Sequence, residues 1–196
     1  MTKRELRNQL RQKRAALTPT TRRTAAENLR RVAIRAGLLR RYQRIGCYLS
    51  FEGEMDTFPL LNQSLWLGKQ CYLPVVPPRF ERKLWFSKLS ERPSWYHNRF
   101  GIHEHWSPRQ GRARQLDLLF MPLVGFDLQG YRLGMGGGFY DASLAYLRRR
   151  KAWKKPYLVG IAFECQKVDK LPHDPWDMPL DAVLTEKQLY VFNHGK

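Results

Sequence analysis

Residues 116–126 read LDLLFMPLVGF, and residues 130–141 read GYRLGMGGGFYD. The first stretch is the most apolar of the chain, and it indicates a central strand that is buried on both faces. The second stretch places four glycines within five positions, after a turn and before a helix predicted over 139–150. A buried strand followed by a glycine loop and a helix favours an α/β fold that binds its ligand at the end of a strand.

Apolar runs on both sides of this stretch predict further strands of the same sheet. We predict them at 45–50, 70–73, 83–89, 157–163, 181–185 and 189–192. Helices are predicted from the capping box at Thr2 to about Ala16, from Thr18-Pro19 to about Ala36, and from Asp56-Thr57 to Leu67. Strands that alternate with helices indicate an α/β fold with a largely parallel sheet, and residues 90–114 are predicted to be loop.

Composition and length bound the kind of protein. With 43% hydrophobic residues among 196, the chain has enough material for a packed core, so global disorder is excluded. Apolar runs stay well short of the roughly 20 residues of a membrane span, and the basic start resembles no secretory signal. The three cysteines are widely spaced and form no CxxC pair, which is typical of reduced residues in a cytoplasmic protein.

The net charge of +18 lies in two segments of the chain. Residues 1–44 hold fourteen Lys and Arg against two acids, and residues 148–155 hold six bases and no acid. These two segments account for the entire excess. Three explanations stay open from charge alone: a nucleic-acid footprint, a solvated helix surface, or binding of a small polyanion such as a nucleotide.

The glycine loop is the sharpest chemical signal. Glycines at these positions let backbone N–H groups approach a phosphate closely, although a turn that merely needs positive φ would use the same residues. The loop lacks the Gly-Lys-Ser/Thr end of a Walker loop and the third glycine of a dinucleotide-binding fingerprint. Arg132 and Asp141 flank it, and together they supply a phosphate clamp and a magnesium ligand.

Other candidate sites give weaker signals. Glu54 follows the first predicted strand, where a carboxylate can accept hydrogen bonds from a heterocycle, although spacing alone favours a solvated loop and helix cap. A carboxylate before a terminal strand, in the loop 173–181, could complete a hard-metal site with Asp141. His103 and His105 lack the further ligands of a zinc site, and the aromatic residues of this region carry no nucleic-acid-binding signature.

In combination these blocks resemble the 5-formyltetrahydrofolate cyclo-ligase family over nearly the whole chain. The specific block is Arg132-Leu-Gly-Met-Gly-Gly-Gly-Phe-Tyr-Asp141. Corroborating blocks are Lys3-Arg-Glu-Leu-Arg7, Leu49 to Thr57, Pro122 to Asp127, Gly160 to Gln166, and Leu171 to Glu186. One departure is Phe139, where tyrosine is common in the family.

The resemblance implies a fold and a reaction. It implies a single domain over 1–196, a three-layer α/β/α sandwich in which the N-terminal basic helices 2–36 pack on an α/β core at 45–196. It also implies cyclisation of 5-formyltetrahydrofolate, with or without a polyglutamate tail, to 5,10-methenyltetrahydrofolate. ATP is the co-substrate, Mg²⁺ the cofactor, and ADP and phosphate are released. The expected enzyme is a cytoplasmic monomer of one-carbon metabolism that binds neither nucleic acid nor membrane.

Roles follow the residues that match the family motifs. Arg132 and Tyr140 are the expected catalytic residues. The expected ATP-binding residues are Lys3, Arg7, Arg132, Gly134, Met135, Gly136, Gly137, Gly138 and Phe139. Leu49, Glu54 and Tyr140 are expected to bind the folate, and Asp141 and Asp181 the metal. Two other classes of protein stay open: a non-catalytic module that binds RNA or another polyanion, and a folate-binding protein without activity.

Overall fold

The computed structural model describes residues 2–90, 93–149 and 155–193. The helices are Lys3–Ala15 (α1), Pro19–Arg35 (α2), Leu38–Arg41 (α3), Phe58–Trp66 (α4) and Phe139–Leu144 (α5), with 3₁₀ turns at Ala113–Gln115, Ala145–Arg149 and Glu164–Gln166. The strands up to the middle of the chain are Arg44–Gly46 (β1), Gln70–Val75 (β2), Trp85–Lys88 (β3), Ser94–His97 (β4), His103–Trp106 (β5) and Gln110–Gly111 (β6). Those that follow are Leu118–Pro122 (β7), Gly125–Phe126 (β8), Arg132–Leu133 (β9), Tyr157–Ile161 (β10), Ala182–Leu184 (β11) and Leu189–Val191 (β12).

The main sheet is largely parallel, as predicted. Within the described residues its strand order is β12-β11-β10-β7-β1-β2-β3-β6. The five strands from β11 to β2 run parallel to one another, whereas β12, β3 and β6 pair antiparallel at the two edges. The apolar stretch recognised in the sequence forms β7, which lies in the centre of the sheet.

Alternate side chains of β7 enter two separate cores. Leu118 and Phe120 are buried against α2 and α4, whereas Leu119 and Met121 are buried on the other face with Leu144 of α5. A strand buried on both faces requires helices on both sides of the sheet. The three-layer α/β/α sandwich is therefore confirmed.

Helix α1 packs on a separate, smaller core. The predicted capping box is present, since Thr2 Oγ1 accepts from the Glu5 N–H and the Glu5 carboxylate accepts from the Thr2 N–H. Leu6 and Leu10 form a small third core with residues near the glycine loop, among them Leu133. The other face of α1 carries the basic residues, which places them near the loops that follow the strands.

Besides the strand ends, which differ by up to four residues, three predicted elements differ from the structure. The run 116–126 is split, because Pro122 offers no N–H for a longer ladder and the chain turns before β8. The helix after the glycines leaves α geometry at Ala145 and continues as a 3₁₀ turn. The predicted loop 90–114 contains the β4–β5 hairpin, whose turn is closed by the Asn98 side chain accepting from the Phe100 and Ile102 N–H groups.

Two sequence expectations remain, one on the second basic segment and one on membrane spans. Residues 150–154, most of the second basic segment, lie outside it. Among the described residues, no helix combines the length and the apolar character that crossing a membrane requires.

Candidate active site

A cavity of about 870 Å³ opens at the carboxyl edge of the parallel strands. Its wall includes Tyr48 and Leu49 after β1, Pro74 near the end of β2, and Pro122 at the end of β7. Ligands of open α/β sheets bind at this edge, because the loops that follow the strands meet there. The sequence prediction that chemistry lies at the ends of the strands agrees with this position.

The glycine loop forms one wall of the cavity. Residues 134–138 connect β9 to α5 and all line the cavity, as do Phe139 and Tyr140. Gly136 and Gly138 have φ of 106° and 68°, values that side chains other than glycine rarely adopt. At Gly134 and Gly138 an added Cβ would meet open space, so the loop backbone faces the cavity without cover.

Arg132 connects this wall to a second loop. Its guanidinium donates to Asp141 Oδ1 and to the Met178 carbonyl, the latter at 2.6 Å. The side chain is only 6% exposed, so the ion pair with Asp141 lies in partly desolvated surroundings. Arg132 thus ties the first turn of α5 to the loop over 172–179, and both lie in the cavity wall.

Helix α1 brings two predicted phosphate ligands to the same space. Arg7 Nε donates to the Gly134 carbonyl at 2.8 Å, directly over the glycine loop. Lys3 Nζ lies 2.6 Å from Asp174 Oδ2 and 2.9 Å from Asp177 Oδ2. Burial alone would lower the pKa of Lys3, but its bonds to the two carboxylates raise that pKa above 10.5. Lys3 is therefore a fixed positive charge at the cavity wall.

The predicted folate ligands also line the cavity. Leu49, Glu54 and Tyr140 are all half-buried there. Glu54 Oε2 accepts from the Phe51 N–H at 3.1 Å, and burial raises the pKa of Glu54 from 4.5 to about 7. Burial and the nearby Glu54 also raise the pKa of the Tyr140 hydroxyl, which stays protonated at neutral pH. A carboxylate acceptor and a hydroxyl donor thus face one apolar space.

The pairing of Asp141 with Asp181 is the one site expectation that the geometry does not support. Asp181 precedes β11, and its Oδ2 accepts from the Leu158 N–H at 2.7 Å near the start of β10. The amino ends of parallel strands lie at the edge opposite the cavity, and Asp181 is not among the cavity-lining residues of the described chain. The carboxylates that do enter the wall from this region are Asp174 and Asp177, four to seven residues earlier.

The β4–β5 hairpin supplies a wall that the sequence did not assign. Asn98, Phe100 and Glu104 are among its cavity-lining residues. Glu104 is buried and accepts from the Val76 N–H at 2.8 Å, from Asn98 Nδ2 at 2.7 Å and from the Tyr96 hydroxyl at 2.7 Å. This network fixes the hairpin to the end of β2. Alternation of aromatic and polar residues around the Asn98–Gly101 turn was the available signal.

The ionisation of Glu54 leads to a stability prediction. Because the folded pKa is about 7 and the ordinary value 4.5, the folded state holds the proton more tightly, and its stability falls as pH rises from 4.5 through 7. Glu54→Gln should therefore raise the free energy of unfolding at pH 8.5 by up to about 3 kcal/mol relative to its effect at pH 5. Urea unfolding at both pH values measures this difference.

A matched control is available on the neighbouring residue. Glu52 is exposed, so Glu52→Gln should change stability by the same small amount at pH 5 and pH 8.5. An equal effect of Glu54→Gln at the two pH values would contradict the assignment of a desolvated carboxylate to this position.

Comparisons with known proteins agree on one family. The family model for 5-formyltetrahydrofolate cyclo-ligase matches residues 1–186. The chain is 38% identical to the 5-formyltetrahydrofolate cyclo-ligase of Haemophilus influenzae over 188 residues, which cover 92% of this chain and 95% of that protein. It is also 38% identical to the Escherichia coli K12 protein of the same name over 183 residues, covering 92% and 98%.

Two solved structures share the fold. The NMR structure of Aquifex aeolicus 5,10-methenyltetrahydrofolate synthetase is 30% identical with a TM-score of 0.84, covering 100% of this chain and 95% of that one. A 5,10-methenyltetrahydrofolate synthetase from Mycoplasma pneumoniae is 25% identical with a TM-score of 0.72, covering 95% and 99%. With its sequence, its sheet and its cavity in agreement, the chain belongs to the 5-formyltetrahydrofolate cyclo-ligase family.

Proposed function

We propose that this protein catalyses the ATP- and Mg²⁺-dependent cyclisation of 5-formyltetrahydrofolate to 5,10-methenyltetrahydrofolate, with release of ADP and phosphate. One observation carries the proposal. A single cavity is lined by the glycine loop, Arg7 and Arg132 and also by Glu54 and Tyr140. A nucleotide and a second substrate can therefore meet in one space.

The chemistry needs activation of a poor leaving group. The formyl oxygen attacks the γ-phosphorus of ATP, the bond to the ADP oxygen breaks, and the formyl oxygen becomes a phosphate ester. N10 of the same folate then attacks the formyl carbon, its proton is released to water, and inorganic phosphate departs with the oxygen, which leaves the cationic methenyl bridge. No covalent bond to the protein is required, so positioning and neutralisation of charge suffice.

The phosphates of ATP are assigned to the part of the cavity that is lined by the glycine loop and the basic residues. Arg132 and the backbone from Gly134 to Phe139 cradle them, and Arg7 and Lys3 contribute charge from α1. This assignment is supported by the open backbone at Gly134 and Gly138 and by the position of Arg7 over the loop. Arg132 offers a planar set of donors that suits a phosphate oxygen pair.

Magnesium fits the carboxylates of the same wall. Asp141 Oδ1 accepts a hydrogen bond from Arg132, which leaves Oδ2 to a cation, and we assign the second carboxylate to the cavity-lining Asp177 instead of Asp181. Mg²⁺ commonly binds one or two carboxylates together with substrate phosphates and water. Within the described residues no group of three His, Cys, Asp or Glu is placed to hold a metal ion by itself. Bound Mg²⁺ would neutralise charge on the transferring phosphate.

The folate is assigned to the part of the cavity that is lined by Leu49, Glu54 and Tyr140. Leu49 and Tyr140 contact its ring system, and Glu54, in its ionised form, accepts hydrogen bonds from ring N–H groups. The enzyme is proposed to act as a cytoplasmic monomer on these small molecules. Arg148 also lines the cavity, where it would favour an anionic tail on the substrate.

A spectrophotometric assay tests the proposal. Protein, Mg-ATP and 5-formyltetrahydrofolate are mixed, and the near-ultraviolet absorbance of the methenyl product should grow only when all three are present. Binding of folate without product formation would indicate a folate-binding protein that has lost activity. Absence of product together with salt-sensitive RNA binding would favour the polyanion-binding module instead.

A further inference from the structure

The turn that carries Glu54 has an unusual backbone. The Glu54 N–H donates to the Phe51 carbonyl at 3.0 Å, which closes a four-residue turn. Its two central residues, Glu52 and Gly53, have φ of 46° and 74°. Positive φ at both central positions is the geometry of a type I′ turn, and a non-glycine residue adopts it only when the surroundings hold it there.

Two arginines from the N-terminal helices hold this turn from behind. Arg14 of α1 donates through Nη2 to the Glu52 carbonyl at 2.9 Å. Arg22 of α2 donates through Nη1 to the Gly53 carbonyl at 2.6 Å and through Nη2 to the carbonyl of Arg14. Each of the two consecutive turn carbonyls thus accepts a hydrogen bond from an arginine. The two arginines are also connected to each other, because Arg22 bonds the backbone carbonyl of Arg14.

Arg14 is the buried member of this pair. It is only 4% exposed, and it does not line the cavity, so it lies behind the turn and not among the proposed phosphate ligands. Its Nη1 is buried and, within the described residues, has no hydrogen-bond partner. Burying a guanidinium with an unpaired donor lowers the stability of the fold unless a nearby negative charge or acceptor interacts with it.

The charge of Arg14 acts on Glu54. Burial raises the pKa of Glu54, the hydrogen bond from the Phe51 N–H and the charge of Arg14 lower it, and Glu52 raises it slightly. The hydroxyls of Tyr48 and Tyr140 are the other titratable groups near Glu54, and burial keeps both protonated at neutral pH. Among these groups Arg14 is therefore the positive charge that favours the carboxylate form.

We propose that Arg14, supported by Arg22, is a positioning residue of the folate site: it fixes the turn that presents Glu54 and favours the carboxylate form that accepts hydrogen bonds from the substrate. The inference rests on the proposed function, because it assigns Glu54 to the folate. It gives a role to basic residues of the N-terminal segment that bind no phosphate.

The test compares Arg14→Met with Arg14→Lys, and Lys13→Met on the exposed neighbouring position serves as the matched control. KM for 5-formyltetrahydrofolate should rise about tenfold in Arg14→Met, because a hydrogen bond to a charged group is lost, whereas KM for ATP should change less than about twofold. The acid limb of the pH profile of kcat/KM for the folate, set by Glu54, should move to higher pH.

Arg14→Lys keeps the positive charge and loses the planar guanidinium with its several N–H donors. It should raise KM for the folate less, and its acid limb should stay at the wild-type position. Lys13→Met should match the wild type in both. Equal changes in the two KM values, or an unmoved acid limb in Arg14→Met, would overturn the inference.

Two further outcomes are distinguished by the design. If Arg14→Met does not fold, Arg14→Lys carries the test: a rise in KM for the folate alone supports the inference, and an equal rise for both substrates refutes it. Wild-type protein that forms no methenyl product refutes the proposed function itself, before any variant is compared.

Discussion

Replacement of Arg132 by alanine is expected to lower kcat by about 10²–10³-fold, or roughly 3–4 kcal/mol of transition-state stabilisation. Arg132 is the cation that contacts both Asp141 and the Met178 carbonyl, and it lies beside the glycine loop. Its charge would act where phosphate charge moves during transfer, in a partly desolvated wall. A stopped assay at saturating ATP and folate measures kcat directly.

The control for this prediction is Arg132→Lys. Lysine keeps one positive charge but cannot bond Asp141 and Met178 together, so an intermediate loss is expected. Far-ultraviolet circular dichroism and the unfolding midpoint must show that each variant is folded. Near-wild-type kcat in a folded Arg132→Ala protein would remove Arg132 from the reaction.

Asp141→Ala is expected to cost a similar factor, about 10²–10³ in kcat, and to raise the Mg²⁺ concentration needed for half-maximal activity. The carboxylate has one oxygen bonded to Arg132 and one left for a cation. Nucleotide binding without Mg²⁺ should persist, because the glycine loop and Arg7 are unchanged. Titration of activity with Mg²⁺ and calorimetric titration with ATP separate the two effects.

Asp181→Asn is the matched control. It lies at the other edge of the sheet, where its carboxylate accepts from the Leu158 N–H, so the change should lower stability and leave the Mg²⁺ dependence as in the wild type. If Asp181→Asn shifts the Mg²⁺ dependence and Asp141→Ala does not, the metal assignment made from the cavity is wrong. Asp177→Asn should behave like Asp141→Ala in the same titration.

Local signals predicted the centre of the fold well. The apolar run that forms β7 and the glycines that precede α5 are properties of adjacent residues, and a buried strand or a tight loop is determined at that range. The position of Glu54 in the loop that follows the first strand was predicted by the same reasoning. These features place the cavity at the carboxyl edge without knowledge of any distant contact.

Features set by distant contacts could not be predicted in this way. Asp177 and Asp181 lie in the same acidic loop of the sequence, so the sequence does not separate them. The fold does, because Asp177 lines the cavity and Asp181 bonds the Leu158 N–H at the other edge of the sheet. The hairpin around Asn98 is held by Glu104, a buried carboxylate in a segment that looked like loop. The role of Arg14 depends on a turn 38 residues away.

The basic residues of α1 and α2 have an electrostatic consequence beyond the contacts they make. Arg7, Arg14 and Arg22 donate to the carbonyls of Gly134, Glu52 and Gly53. A carbonyl is uncharged, so each contact fixes a loop without cancelling the positive charge of the arginine. These three positive charges therefore remain available to attract the proposed anionic substrates toward this end of the molecule, and that attraction should weaken as added salt screens it.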